Sequence, residues 1–296
     1  MSSAVIPSEA IGLRTRLLDF VALTKPRIAV LVLFTVAIGT LLASRGHMDF
    51  VVLLNTLVGT GLVAAGASAL NQLLERDSDA HMRRTENRPL PSGRLQPAEV
   101  LVFGLALSAS GLLYLMFALE HLLPIVLVAA TLVSYVLLYT PLKKKTTLNT
   151  LIGAVPGALP PVIGWTAVTG RLDAPVVILF LILFLWQVPH FLAIAWIYRE
   201  DYGRAGLLML PVLDPSGAMT GRQMVTYCLA LIPVSLLPVM WQQASVFYGL
   251  GALILGLGFL AAALGFVRDK SITNARRVLH ASLLYLPLLL SLLVIC

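Results

Sequence analysis

Asn71, Glu75 and Asp79 stand at i, i+4 and i+8. At about 3.6 residues per turn a helix carries all three on one stripe, spread over about 12 Å of its axis. Three oxygen donors on a stripe suit a hard cation such as Mg2+. That ion usually takes one or two carboxylates and leaves its other positions to water and substrate phosphate. Arg83, Arg84 and Arg88 follow closely, with Arg94 beyond a Pro-Leu-Pro break. Guanidinium groups grip phosphate with two prongs, which a point-like ammonium cannot do. Stripe and arginines together are what a magnesium diphosphate needs. The arginines alone read equally as charges that fix a topology, but topology calls for basic residues, not acidic ones. Asp77 lies off the stripe and reads equally as a solvated loop charge.

A second polar cluster lies in "WQVPHFLAIAWIYREDYGRAGLLMLPV". His190 sits inside its apolar run, two to three turns ahead of Tyr198, Glu200 and Asp201. Glu200 and Asp201 are adjacent, so on a helix they face about 100° apart and serve different roles. A histidine in such a run reads either as a satisfied structural residue or as a functional one, and Gln187, Pro189 and the acids beyond keep both readings open. In "YTPLKKKTTLN" three consecutive lysines, Lys143, Lys144 and Lys145, point different ways. At most one or two can face a site, and at least one is a topology anchor.

The elements that must position these residues are membrane spans. The 296-residue chain is 58% hydrophobic and 12% charged, with a mean hydropathy of +0.91. Soluble domains are about 45–50% apolar and about 25% charged, so the composition predicts an all-α, polytopic membrane bundle. Apolar runs long enough to cross the hydrocarbon core, about 20 residues, fall at 28–44, 51–74, 98–118, 122–140, 148–168, 174–197, 224–241, 245–266 and 278–296. The Pro- and Gly-rich "GAVPGALPPVIGW" is kept as one kinked span, since neighbouring helices can re-satisfy freed backbone groups.

Nine spans put 19 of the 21 Lys and Arg on one side, all but Arg45 and Arg171. By the positive-inside rule that side is cytoplasmic, with the N-terminus and the acidic clusters, and the C-terminus lies outside. The net charge of +7 therefore reports topology, and no basic domain or tail points to nucleic acid. Residues 1–26 form a cytoplasmic N-terminal segment with the look of neither a signal peptide nor an acid-poor mitochondrial leader. Its stretch "IGLRTRLLDFVALTKPRI" is weakly amphipathic and suits the inner membrane surface. A bacterial plasma membrane is the simplest location. Cys228 and Cys296 lie in apolar stretches and read as packing residues. An acidic patch ends span two and another ends span six, a scheme consistent with internal duplication although no residue-level repeat accompanies it.

At these residues the chain resembles the UbiA superfamily of intramembrane prenyltransferases, whose Asp-rich motifs after helices two and six hold Mg2+ and a prenyl diphosphate. "NQLLERDSDAHMRRTENRPLPSGR", "YTPLKKKTTLNTLIGAVPGALPPVIGW" and "PHFLAIAWIYREDYGRAGLLMLPV", in that order and with "LTKPRI" at 23–28, resemble its haem-modifying branch. The resemblance runs from about residue 20 to the last span. It implies a UbiA-type fold forming a single integral-membrane prenyltransferase domain over 1–296. Many superfamily members carry Asp where this chain has Glu75, and the second motif, Tyr198-Arg199-Glu200-Asp201-Tyr202, has fewer carboxylates. A second metal ion is correspondingly less well specified.

The resemblance further implies farnesyl transfer from farnesyl diphosphate to a vinyl group of haem b, with water addition, giving haem O for terminal oxidases. Asn71, Glu75, Asp79 and Asp201 are then the catalytic metal ligands for Mg2+, and Arg83, Arg84, Arg88 and Lys143 hold the diphosphate. His190 and Tyr198 are the candidates for haem contact, with haem as substrate rather than cofactor. Expected partners are farnesyl diphosphate, haem b and the lipid bilayer, with haem A synthase or terminal-oxidase assembly factors downstream. The alternatives are a UbiA-type enzyme acting on 4-hydroxybenzoate or a chlorin, a non-catalytic haem carrier, and a transporter. A transporter places polar groups near the bilayer midplane, where these spans look bare apart from Gly and Pro.

Overall fold

The computed structural model describes residues 12–44 and 46–296. The sequence readings of residues 1–11 and of Arg45 fall outside the described residues. In chain order the elements are α1 (Leu13–Leu23), α2 (Pro26–Ala43), α3 (Phe50–Asp79), α4 (Pro97–Ala118) and α5 (Leu122–Val133). A π-helical turn, Ser134–Tyr139, leads from α5 into the short α6 (Thr140–Leu142). Then come α7 (Asn149–Ala158), α8 (Pro160–Thr169), α9 (Ala174–Ile197), α10 (Arg199–Arg204), α11 (Leu210–Leu213), α12 (Ala218–Met240), α13 (Val246–Arg268) and α14 (Ile272–Ile295).

Among the described residues nine helical segments are long and apolar enough to cross a membrane, α5–α6 and α7–α8 each counting as one. All nine expected spans are present. The expected break falls at Leu159, between α7 and α8: Pro160 and Pro161 bring no N–H and interrupt the helical hydrogen bonds there, while Leu159 itself keeps helical dihedrals. Two spans begin earlier than expected, at Ala218 and Ile272. Their first two turns carry Arg222, Arg276 and Arg277, which a helix end clear of the hydrocarbon can hold.

Length decides where the acidic stripe sits. Asp49 starts α3 by accepting from the N–H groups of Val51 (2.8 Å) and Val52 (3.2 Å). The helix then runs for 30 residues, about 45 Å at 1.5 Å per residue, against a hydrocarbon core of about 30 Å. Its last turns therefore run on past a hydrocarbon thickness at the basic end, and they carry Asn71, Glu75 and Asp79, with Asn71 and Asp79 buried beneath neighbouring segments. The apolar faces of the spans look outward, as at Val102, Phe117 and Ile254.

Lipid gives helices no hydrophobic reason to associate, so close approach through small residues holds the bundle. Gly66 of α3 lies against Gly104 and Ser108 of α4, and Gly111 of α4 lies against Gly59 and Val63. Gly164 of α8 fits against Val36 and Thr40 of α2, and the Thr40 hydroxyl donates to the Gly164 carbonyl at 3.3 Å. The largest buried cluster joins α2, α7, α8, α9, α12, α13 and α14. The span interiors are less bare than the sequence suggested. Gln187, midway along α9, is buried against Gly157 and donates to the carbonyls of Ala154 and Leu183.

Candidate functional site

α3 presents Asn71, Glu75 and Asp79 on its basic-end stripe, and each meets a basic side chain from a different part of the chain. The Asn71 carbonyl oxygen accepts from Lys25 Nζ at 2.9 Å. Glu75 pairs with Lys143 at 2.5 Å, both side chains being 13% exposed. Asp79 Oδ2 pairs with Arg88 at 2.6 Å, whereas its Oδ1 is buried without a hydrogen-bond partner. The Asn71 amide also donates to the Thr140 hydroxyl at 3.0 Å.

Lys143 reaches the stripe because of the turn before it. The π turn holds one more residue than an α turn, and such turns gather at functional sites. It ends with the Thr140 hydroxyl donating to the Tyr135 carbonyl at 2.8 Å, so that Thr140 meets Asn71 and Lys143 meets Glu75. The Lys143 ammonium also lies over the Tyr139 ring, 4.4 Å from its centre. Burial works against its charge, but Tyr139 and Glu75 more than offset this and push its pKa above the ordinary lysine range. Lys144 and Lys145 stay exposed, so one lysine of the three faces the site.

Lys25 was not singled out from the sequence as a site residue. It sits at the elbow between α1 and α2 with a φ of 47°, a left-handed geometry uncommon for a residue with a Cβ. Neighbouring contacts fix the elbow. The Gln72 side chain donates to the Leu23 carbonyl at 2.8 Å, and the Leu23 side chain is fully buried against Ala69, Leu73 and Leu90. Arg94 Nε contacts both oxygens of Asp19 at 3.0–3.1 Å, and Arg16 pairs with Glu99. Arg94 thus clamps α1 rather than facing the stripe. Burial, and then the positive charge of Arg88, pull the Lys25 pKa down to about 8, with Glu75 acting in the opposite sense.

The second acidic cluster folds back onto the first. Arg84 donates to the Tyr202 hydroxyl at 2.7 Å and lies 4.9 and 4.7 Å from the ring centres of Tyr198 and Tyr202. Beneath it Met82 packs with Ala195, Tyr202, Leu207 and Met209. The third loop is tied in through the Leu208 N–H, which donates to the Lys143 carbonyl at 2.8 Å, and through Asn149, which donates to the Leu208 carbonyl at 2.9 Å. Asp201 pairs with Arg204. Glu200 and Arg83 are exposed, and Asp77 is exposed beside Arg76.

His190 shares no partner with this cluster. It faces α14, where its Nδ1 lies 2.7 Å from the Ser282 hydroxyl and its ring stacks on Trp186 at 4.9 Å. The Ser282 hydroxyl also lies 2.6 Å from the Leu279 carbonyl. In the tautomer that donates from Nδ1 to Ser282, Nε2 keeps its lone pair.

Among the described residues no three His, Cys, Asp or Glu gather into a closed metal cage. A magnesium site does not require one, since two carboxylates and an amide oxygen leave the remaining positions to water and phosphate. The donors here are all hard oxygens, and Asp79 Oδ1 is a buried acceptor in need of a partner. The residues fit the ion.

Lys25, Tyr139, Thr140 and Tyr202 were missed from the sequence. Tyr139 stands four residues before Lys143, a helical spacing that could have signalled it. A lysine preceding a span carries no such signal, because it is the usual mark of topology.

The chain matches the UbiA prenyltransferase family over residues 32–287. A protoheme IX farnesyltransferase from Solibacter usitatus (strain Ellin6076) is 47% identical, the match covering 94% of this chain and 98% of the relative. One from Salinibacter ruber (strain DSM 13855 / M31) is 44% identical, with 94% and 98% covered. Among solved structures, a digeranylgeranylglyceryl phosphate synthase superposes with a TM-score of 0.77 at 19% identity, covering 95% of this chain and 98% of that one. A UbiA homolog from Archaeoglobus fulgidus bound to DMAPP and Mg2+ superposes with a TM-score of 0.61 at 12% identity, covering 94% and 100%.

Proposed function

The chain belongs to the UbiA prenyltransferase family, and from that premise we propose that it transfers the farnesyl group of farnesyl diphosphate to a vinyl group of haem b, yielding haem O. The observation that carries the chemistry is the stripe of Asn71, Glu75 and Asp79 ringed by Lys25, Lys143 and Arg88. The acceptor follows from the full-length likeness to protoheme IX farnesyltransferases.

Asn71, Glu75 and Asp79 would hold Mg2+, with Asp201, now paired with Arg204, as the fourth ligand from the opposite loop. When bound, the ion would stabilise the charge that develops on the leaving diphosphate. Lys143, Arg88, Arg84 and Lys25 neutralise the charge that grows on that group as the allylic C–O bond breaks and its electron pair departs. Arg83, exposed at the rim, steers the polyanion inward. The vinyl π pair of haem then forms the new C–C bond. Water captures the porphyrin-stabilised cation and gives up a proton, leaving the hydroxyethylfarnesyl group. Diphosphate is the other product, and no oxidant or reductant is consumed. The apolar bundle holds the farnesyl chain and keeps water from quenching its cation early. His190, against α14, and Tyr198, against Arg84, are the residues we assign to haem contact.

We place the chain in a bacterial plasma membrane as one domain, with its basic end and site cytoplasmic and its C-terminus outside, because 19 of 21 Lys and Arg occupy that end. Expression in cells lacking their own haem farnesyltransferase, followed by pigment extraction and mass analysis, tests the assignment. Haem O should accumulate and depend on Mg2+. A prenylated phenol with no haem O would refute it.

A further inference from the structure

We infer that Lys25, Lys143 and Arg88 are exchangeable caps on the metal stripe, so that metal and diphosphate bind as one unit and neither binds well alone. The inference rests on the function proposed above and concerns how the same site fills.

Three stripe residues meet three cations, one each. Lys25 holds the Asn71 oxygen at 2.9 Å, Lys143 holds Glu75 at 2.5 Å and Arg88 holds Asp79 Oδ2 at 2.6 Å. Each oxygen a metal would take is thus also a hydrogen-bond acceptor for a basic group. The exceptions are Glu75 Oε2, which no basic group caps, and Asp79 Oδ1, buried and unpartnered; an entering ion meets the accessible Glu75 oxygen first and must displace the caps to reach the rest.

The charges decide the outcome. Two carboxylates face three cations, so a divalent ion entering alone must displace the caps and then sit among them. A diphosphate entering alone brings a polyanion next to Glu75 and Asp79 while their cations remain engaged. When both enter, the ion takes the stripe oxygens and each released cation needs only to swing onto a phosphate oxygen. Lys25 is built for this exchange. Its backbone is fixed by the left-handed elbow and by the Gln72 bond to the Leu23 carbonyl, so its four-carbon arm can move while its root does not. Its partner is also a neutral amide, which gives up an ammonium more readily than a carboxylate does. Because pyrophosphate ligates the metal directly, it raises metal affinity in any case; ion pairs that only neutralised the helix end would leave the metal-alone affinity unimproved when a basic partner is removed.

The test counts Mn2+ bound to the full-length protein in nanodiscs by equilibrium dialysis and electron paramagnetic resonance, with and without inorganic pyrophosphate. Wild-type protein should bind Mn2+ about tenfold more tightly with pyrophosphate, an ordinary size for coupling between sites. Lys25→Met removes a cap without stranding a charge. It should bind Mn2+ alone several-fold more tightly than wild type and show a smaller pyrophosphate enhancement, the part that the two remaining caps and direct phosphate ligation supply. Lys143→Met should shift both quantities in the same directions, and serves if Lys25→Met fails to fold. Equal Mn2+ affinity with and without pyrophosphate in the wild type, or Mn2+-alone affinity no tighter in the folded variants, overturns the inference while leaving the metal site standing. No Mn2+ binding under either condition overturns the metal site itself, and the inference with it.

Discussion

Replacing Glu75 separates its two jobs, that of ion-pair partner and that of metal ligand. Glu75→Gln removes the charge opposite Lys143 in a pair whose side chains are each 13% exposed. Removing one partner of a buried pair costs about 3–5 kcal/mol, because the other charge is left buried and uncompensated. Lys143 keeps the Tyr139 ring and a glutamine oxygen, so the lower end, about 3 kcal/mol, is expected. Neutralising both partners, as in Glu75→Gln with Lys143→Met, strands no charge, and such exchanges are often neutral or stabilising. The double variant should therefore melt within a few degrees of wild type in detergent, well above Glu75→Gln. Activity should behave differently. Loss of one group that stabilises developing charge typically costs about 100- to 1,000-fold in kcat, and Lys143→Met cannot replace a lost metal ligand. Haem O formation from labelled farnesyl diphosphate should stay at least 100-fold down in both proteins, on the order set by that principle. A double variant that regained stability and turnover together would show Glu75 to be only a structural partner of Lys143. Full activity in Glu75→Gln would refute its role as a metal ligand directly.

Other perturbations test other contacts. Tyr202→Phe deletes the 2.7 Å hydrogen bond from Arg84 but keeps the ring; a loss of about 1 kcal/mol should appear as an increase of up to tenfold in KM for farnesyl diphosphate in steady-state assays. Gly66→Ala drives a methyl group into Ser108 and Gly104 across the α3–α4 contact, and thermal melting in detergent should show a destabilisation of about 1–3 kcal/mol. Asp214 lies outside the spans: burial raises its pKa, but hydrogen bonds from Thr220 N–H, the Ser216 hydroxyl and the Thr220 hydroxyl outweigh this and hold it below the usual carboxylate value. Its contribution should be present at neutral pH and lost as pH falls through that lowered value, so wild-type and Asp214→Asn melting curves should differ at pH 7 and converge in acid. Chelation of the purified protein followed by dialysis should abolish haem O formation from labelled farnesyl diphosphate, and added Mg2+ should restore it.

Composition and residue period fixed much of this protein before any folding was known. The nine spans follow from apolar runs against the thickness of hydrocarbon, and the basic end follows from where arginine and lysine interrupt those runs. Asn71, Glu75 and Asp79 could be grouped because helical period is a local property, and α3 carries them to its end at Asp79 as the spacing required. Partnership between distant segments was not local and could not be read. Arg84 meets Tyr202 across 118 residues and Lys25 meets Asn71 across 46, pairings set by how the helices pack. The choice of Lys143 over its two neighbours depends on a π turn that leaves no mark in hydrophobic periodicity. Arg94, grouped with the site arginines by proximity in sequence, is turned to Asp19 because α1 docks there. The sequence determined which chemistry the chain carries and at which end of the bundle. Only the tertiary structure decided which cation faces which oxygen, because that depends on close packing through Gly66, Gly104 and Gly164 and on an elbow at Lys25 that period and charge do not encode.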